Sequence, residues 1–369
     1  MKKRKLTFLG KVNMFIAVLL ALGLLAGIYA GKLDPRQHII FAFFGLAYPF
    51  LLFLNAAMIV CWLIGRRWIF ALATLVLMLS GWHALIATVG FSGEAGEGPK
   101  IDPSLVRMMT YNVHSFKPYG EDNNEAVKQQ MLQVVRTEDP DIICFQEYFS
   151  RRKGSYDITD SLKKILRIHN YYFVPTGEND YEAHGLAIFS KYPIVNKGNI
   201  VFANNNAGNE SIFVDVLIAG KKVRVYNVHL QSISFDKQDY IYLDKVKEKM
   251  DTELTPTKRI LRMLKTAFLK RSAQVDVMKA HMKGCDLPFL IAGDFNDTPA
   301  SYAVTQMTKS LHNTFVEQGT GLGRTYNGKF PNFQIDYISA TKSIKVINHR
   351  IIEAKLSDHF PIRSDLRIN

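Results

Sequence analysis

Three apolar runs near the N-terminus, Met14–Ala30, Ile39–Ile64 and Trp68–Phe91, contain no Asp, Glu, Lys or Arg, and no other feature constrains this chain as strongly. A bilayer core about 30 Å thick takes about 20 apolar residues per helix, so each run is long enough to cross, the first near the lower limit. The 48% apolar content of the 369 residues then averages two solvents, with lipid around the first ninety positions and water around the rest. A length prior of about 100–200 residues per domain allows the same division.

Lys2-Lys3-Arg4-Lys5 precedes the first run, as in a signal peptide. Ile28-Tyr29-Ala30, before Gly31, lacks a small residue at the first of its positions, so the run reads as an uncleaved anchor. Basic residues mark the cytoplasmic side, which puts the N-terminus and Arg66-Arg67 inside and the loop with Lys32, Asp34 and Arg36 outside. Three crossings carry residue 101 onward to the outer, periplasmic face of an inner or plasma membrane. Asn55 and His83, polar residues within the runs, have no ionisable partner there and read as interhelical or interfacial groups rather than a proton relay.

Ser92–Pro103 reads SGEAGEGPKIDP, a stretch without apolar periodicity and hence a linker. The expected organisation is a membrane anchor over 1–91 with helices at about 14–30, 39–64 and 68–91, a linker over 92–103 and a soluble domain over 104–369. Most of the net charge of +13 belongs to the anchor, since residues 101–369 carry 36 basic against 30 acidic side chains. The remaining +6 permits an anionic partner, nucleic acid or a phospholipid surface, but selects no chemistry. Cys61, Cys144 and Cys285 have the spacing of neither a metal knuckle nor a disulfide framework.

In the soluble part, β-rich runs bounded by Gly, Pro, Asn or Asp recur at 106–111, 142–146, 185–190, 211–218, 222–229, 289–292, 334–339 and 344–352, and helical spacing appears at 124–137, 161–168, 258–283 and 301–311. This mixture predicts an α/β or α+β sandwich. Tyr240–Arg271 interleaves Lys245, Lys247, Lys249, Lys258, Arg259, Arg262, Lys265, Lys270 and Arg271 with Ile260, Leu261, Leu264 and Phe268. It reads as a basic amphipathic helix with a solvated charged face, or one resting against anionic headgroups or the substrate.

The polar residues able to do acid–base or metal chemistry fall at strand ends. Asp294 and Asn296 follow the apolar run Phe289–Ala292 in Gly293-Asp294-Phe295-Asn296-Asp297-Thr298-Pro299, where a carboxylate and an amide on one side can hold and orient a water molecule. Ser357-Asp358-His359-Phe360-Pro361 sets a carboxylate beside an imidazole. Asp358 could bind a metal while His359 faces a phosphate, and Asp336 could fix the tautomer of His359. Glu147 ends Ile142–Gln146, and a hard oxygen ligand there suits Mg²⁺. Asn112 in Thr110–His114 and His229 in Tyr226–Leu230 complete the set. Each alone is as ordinary as a turn cap or a surface pair; their co-occurrence is the signal.

From about Leu105 to the C-terminus these residues resemble the endonuclease/exonuclease/phosphatase superfamily, most specifically at GDFN, SDHFP and IDYI. The resemblance implies a four-layered α/β sandwich of two packed sheets, as in deoxyribonuclease I, cleaving phosphate esters with Mg²⁺ or Mn²⁺. It also implies roles. Glu147 would ligate the metal with support from Asn112 and Asp358, and Asp294 would align or deprotonate the attacking water, assisted by Asn296. His359, oriented by Asp336, would stabilise the phosphorane-like state, and His229 would contact the phosphate or protonate the leaving group. Metal and cationic imidazoles suit this reaction because charge builds on the phosphate oxygens in the transition state. His114 and Arg324 lie near matched motifs and are candidates for substrate binding.

Relatives acting on apurinic sites carry Tyr where His229 stands, and inositol polyphosphate 5-phosphatases carry Cys-Asp-Arg where this chain has Leu356-Ser357-Asp358-His359. His229 is similar instead to the deoxyribonuclease I and sphingomyelinase branches. The expected function is hydrolysis of a phosphodiester in or near the membrane, a lipid headgroup. The alternatives are a membrane-tethered nuclease, which the domain charge permits, and a catalytically silent membrane scaffold. No protein partner is inferred.

Overall fold

The computed structural model describes residues 8–91, 93, 96–117, 124–202, 209–233, 242, 254–328 and 332–368. The basic N-terminal residues and the part of the basic run holding Lys245, Lys247 and Lys249 lie outside them.

Two helices, α1 (Phe8–Ala30) and α2 (Ile39–Ile64), are long and apolar enough to cross a membrane. They pack along their length, and Asn55 donates across to the Leu20 carbonyl at 3.1 Å, the interhelical bond expected of a polar group in this setting. The third run departs from the expectation of one helix. It is broken into α3 (Trp68–Ser80) and α4 (Trp82–Thr88), bent by 79°, and counts as a crossing only if the bent pair is one span. The break falls at Gly81, where a Cβ would lie 2.6 Å from Ile28. His83 is exposed on α4. The chain continues into β1 (Val89–Phe91), whose partner is β11 (Thr320–Leu322).

The stretch expected as a linker is fastened where it is described. The carbonyl of Gly98 accepts from Arg107 and Arg363, and Lys100 pairs with Asp141 at 2.7 Å.

Two sheets form the remainder. One has the order β13-β15-β2-β3-β5-β4, from β2 (Val106–Asn112), β3 (Ile142–Arg151), β4 (Asn170–Glu178), β5 (Glu182–Ser190), β13 (Ile344–Val346) and β15 (Ile362–Ile368), with β14 (Arg350–Ile351) beside β15. The other has the order β10-β12-β9-β8-β7-β6, from β6 (Ile194–Ile200), β7 (Ser211–Ile218), β8 (Lys221–His229), β9 (Phe289–Asp294), β10 (His312–Asn313) and β12 (Asp336–Ala340).

Side chains alternate across a strand, and here both faces are buried. Met108, Ile142, Cys144, Val225, Leu290 and Ala292 point between the sheets. Their neighbours Met109, Ile143 and Phe145 pack outward against α5 (Glu125–Glu138) and α6 (Ile158–Leu166). Tyr226 and Ile291 pack outward against α7 (Leu254–Lys283) and α8 (Tyr302–Thr308). The near-continuous apolar runs of the sequence follow from this double coverage, and the result is the expected four-layered sandwich. A short helix, α9 (Thr314–Gln318), follows β10.

Candidate active site

The parallel pair β8–β9 sets His229 opposite Asp294, and the antiparallel pair β9–β12 sets Asp294 opposite Asp336. Register alone lines these three up at one end of their sheet. In the other sheet, β2 and β3 run parallel with Asn112 opposite Gln146. The register against β5 shifts between Phe145 and Tyr148, and Glu147 adopts φ 49° within that irregularity. Such a bulge re-aims a side chain, which is how a residue inside a long strand comes to face the site. His114, Ser115, Phe116 and Asn296 also hold positive φ, costing of order 1 kcal/mol each.

The two strand ends meet. Asn112 Nδ2 lies 3.1 Å from Asp294 and 3.4 Å from Glu147. His114 Nδ1 is 3.1 Å from Glu147 and 4.0 Å from Asp358. His229 Nε2 is 3.7 Å from Asp294 and 4.0 Å from Glu147. His359 Nδ1 contacts Asp336 at 3.0 Å, and its Nε2 stands 3.7 Å from Asp294. Ser357 donates to the Asn112 carbonyl at 3.0 Å, locking the loop of Asp358 and His359 onto β2. Eight of the ten residues singled out in the sequence are thereby brought together, and Asn296 joins them through the turn after β9. Arg324 stands apart, stacked over Phe360 and 3.8 Å from Glu353.

Asn296 reaches the site by a turn, not by the strand alternation its spacing suggests. β9 ends at Asp294, the Asn296 N–H donates to Asp294 at 2.8 Å, and the Asn296 side chain donates to the Leu230 carbonyl at 3.0 Å.

Charge is distributed unevenly. Burial pushes the Asp294 carboxyl up to about 6, against the pull of His359. Burial opposes protonation of His359, but Asp336, Asp294 and Asp358 outweigh it and hold the imidazole well above its ordinary range. Glu147 is driven the other way. Burial acts to raise it, yet the His114 hydrogen bond and the surrounding imidazoles bring it down to about 2.

Asp294, Asp336 and His359 offer ligand atoms within 4.8 Å of one another. In this trio His359 lies between the two carboxylates and offsets part of their charge. Glu147 and Asp358, both approached by His114 Nδ1, could offer carboxylate oxygens to a hard cation, whereas the Asn112 amide presents its nitrogen to Glu147 and Asp294 while its oxygen accepts from the His114 N–H. Glu147 retains 37% side-chain exposure against 2% for Asp294.

Several residues that shape the site drew no notice in the sequence. Asn227, two positions before His229, accepts from Gln146 at 2.6 Å and donates to the carbonyls of Phe145 and Ala187, pinning one sheet to the other beneath the candidate site. Its signal was a polar residue at an inward position of β8. Arg271, the last member of the basic run, is 1% exposed and pairs with the buried Asp297 at 3.0 Å. It is therefore no part of a solvated charged face.

The endonuclease/exonuclease/phosphatase family matches residues 109–359, and a domain family of unknown function matches residues 8–88. No curated protein sequence matches the chain. Among solved structures, an endonuclease/exonuclease/phosphatase from Bacteroides vulgatus is 18% identical, covering 72% of this chain and 99% of its own, with a TM-score of 0.52. A conserved protein of unknown function from Enterococcus faecalis V583 is 17% identical, covering 72% and 100%, with a TM-score of 0.51. An endonuclease/exonuclease/phosphatase family protein from Bacteroides thetaiotaomicron is 18% identical, covering 72% and 98%, with a TM-score of 0.50. At these identities the likeness concerns the fold.

Proposed function

Since the chain belongs to the endonuclease/exonuclease/phosphatase family, we propose that it is a membrane-anchored, divalent-metal-dependent phosphoesterase acting on a phosphodiester in the lipid headgroup layer. A divalent cation, Mg²⁺ or Mn²⁺, held by Glu147 and Asp358, and by Asn112 once its amide is turned to present oxygen in place of nitrogen, would supply Lewis-acid stabilisation of the phosphoryl oxygens.

The side chains do the rest. Asp294, with a carboxyl near 6, is matched to take a proton from water near neutral pH, and Asn296 fixes the turn that aims it. The water oxygen bonds to phosphorus as the bond to the leaving oxygen breaks. His359, kept cationic by Asp336, faces the charge that develops on the phosphoryl oxygens. His229, 3.7 Å from Asp294 on the neighbouring strand, is the donor for the departing alkoxide.

The lipid reading rests on one observation: Thr298, four residues after Asp294, donates to the Gly45 carbonyl of α2 at 3.0 Å. The Ala30 Cβ of α1 lies beside the same glycine. Counting about 20 residues, or about 30 Å, from Ala30 back along α1 and from Gly45 forward along α2 reaches the far ends of both helices. Gly45 and Ala30 therefore mark one bilayer boundary, and the active-site loop rests on it. The first turns of α2 project beyond that boundary and pack against Ile260, Leu264 and Phe268 of α7. The loop between α1 and α2 also meets the catalytic domain, through Arg36 and Asp276 at 2.7 Å. This favours the topology in which both lie outside and the basic N-terminus and Arg66-Arg67 lie inside.

The test is headgroup release from phospholipid vesicles by the full chain with Mg²⁺ or Mn²⁺, beside Asp294→Ala, an EDTA control and plasmid DNA. Metal-dependent release lost in the variant is expected. Cleavage of plasmid with lipid untouched would replace this reading with a tethered nuclease, which the +6 charge of residues 101–369 accommodates.

A further inference from the structure

The loop that leaves the catalytic strand ends inside the membrane module, and the reason lies in α2. A helical carbonyl is normally capped by the N–H four residues on. For Gly45 that residue is Pro49, which lies inside α2 and has no N–H to give. In or at a bilayer such an orphaned carbonyl must find another donor. The donor is the Thr298 hydroxyl, fully buried, at 3.0 Å.

Gly45 also provides the space. A Cβ there would lie 2.8 Å from Ala30, 3.5 Å from the Ala300 carbonyl and 3.7 Å from the Ser301 Cα. The bare backbone is what admits α1 at this distance, while the loop lies in ordinary contact range on the other side. One turn along the loop from this contact, Ser301 caps α8 through the Val304 N–H, and Gln306 of α8 donates to the Gly31 carbonyl at 3.1 Å. On the catalytic side, Asp297 is held by Arg271 and Asp294 by the Asn296 N–H. Asp294, Asn296, Asp297 and Thr298 are thus each held by a polar contact on the way to the apolar helix α2.

We propose that Gly45 and Pro49 form a socket in the second membrane helix that positions the catalytic loop, with Thr298 as the residue that occupies it. The proposal rests on the reading of Asp294 and Asn296 as the water-activating pair. Thr298 acts through them and does not touch the reacting atoms. The membrane module is then a working part of the active site as well as its tether.

The experiment uses the full chain in nanodiscs of phosphatidylethanolamine and phosphatidylglycerol, with bis(p-nitrophenyl) phosphate and Mn²⁺ as the probe reaction. Thr298→Val keeps the shape and removes the donor; kcat falls about tenfold with KM little changed, the size expected of a small misplacement of a catalytic group. Thr298→Ser restores the rate. Pro49→Ala is the sharper variant. It makes α2 a better helix and returns an N–H to the Gly45 carbonyl, so melting temperature holds or rises while kcat drops as in Thr298→Val. The double variant is no slower than either single one, since both break the same contact.

Hydrogen–deuterium exchange in the peptide spanning residues 293–300 supplies a readout independent of turnover. It rises in Thr298→Val and in Pro49→Ala and stays unchanged at 142–151. Wild-type exchange and wild-type kcat in both variants would overturn the socket. So would additive losses in the double variant, or a serine variant as slow as the valine. Should the probe not be hydrolysed at all, the reading of the site fails, and the exchange comparison still decides whether the socket holds the loop.

Discussion

The two halves of the site are built differently. The half carried by β8, β9 and β12 holds His229, Asp294 and Asp336, all at least nine-tenths buried, and its exit loop is seated on the apolar helix α2. The half carried by β2 and β3 holds Asn112, His114 and Glu147, and its shape comes from local backbone. Positive φ runs through three consecutive residues, His114 to Phe116, and recurs at Glu147, with more than a third of the His114 and Glu147 side chains open to solvent. One half is fixed by burial and long-range contacts and shifts a carboxyl upward; the other is strained, open and holds a carboxylate ionised. Water activation needs the first environment, and cation binding the second.

The largest effect separating the halves is expected at Asp294. Asp294→Ala lowers turnover by about a thousandfold or more, at the upper end of what general-base and electrostatic groups contribute, in a steady-state assay of the full chain. Stability moves the opposite way. A carboxyl raised to about 6 in the fold, above its unfolded value near 3.9, binds its proton more tightly in the native state. Native stability therefore falls as pH rises from about 4 to about 6. Asp294→Asn removes that burden, and its melting temperature at pH 7 in EDTA should exceed wild type. A lower one would mean that the carboxylate is satisfied rather than strained.

A smaller effect is expected at Asp336. Asp336→Asn leaves the geometry but withdraws the nearest charge that keeps His359 cationic, so turnover falls about 10²-fold and the alkaline limb of the pH profile moves to lower pH. The acid limb, governed by Asp294, moves to lower pH as well, because the Asp336 charge also helps to raise that carboxyl. An unmoved alkaline limb would assign the cationic role to another group.

The smallest effect on chemistry should come from Asn227→Ala, which lies under both halves. Its three hydrogen bonds cross between the sheets, and stranding buried partners costs about 1–3 kcal/mol each. Loss of several degrees in melting temperature, with kcat per folded molecule within about threefold, would show that it supports both halves equally. A selective loss of metal affinity would tie it to the Glu147 side.

Legibility in the sequence followed the same division. Strands β2, β7, β8 and β9 and helices α5 and α7 were readable because two-sided burial leaves long apolar runs and amphipathic periodicity. Strand β6, part-exposed and polar, carries no such pattern; β4 has only the short apolar run 171–174, packed on both faces and cut off by Pro175, and neither is assigned from the sequence. Asp294, Asp358 and His359 stood out because they sit in compact motifs. The use of Asn227, Arg271 and Thr298 depends on what lies opposite them in another sheet or helix, and that information is absent from their own neighbourhood in the chain. Gly45-x-x-x-Pro49 was visible as letters, but the orphaned carbonyl it creates acquires meaning only when Thr298 is seen to fill it.

The most direct test of a membrane-seated phosphodiesterase is to offer one phosphodiester headgroup in two forms to the full chain in nanodiscs. One form is a long-chain phospholipid in the same bilayer, and the other a short-chain, water-soluble analogue below its micelle concentration. Turnover of the bilayer form exceeding that of the soluble form, with both abolished by Asp294→Ala, is the predicted result. Equal turnover of the two, or hydrolysis of the soluble form alone, would contradict the account.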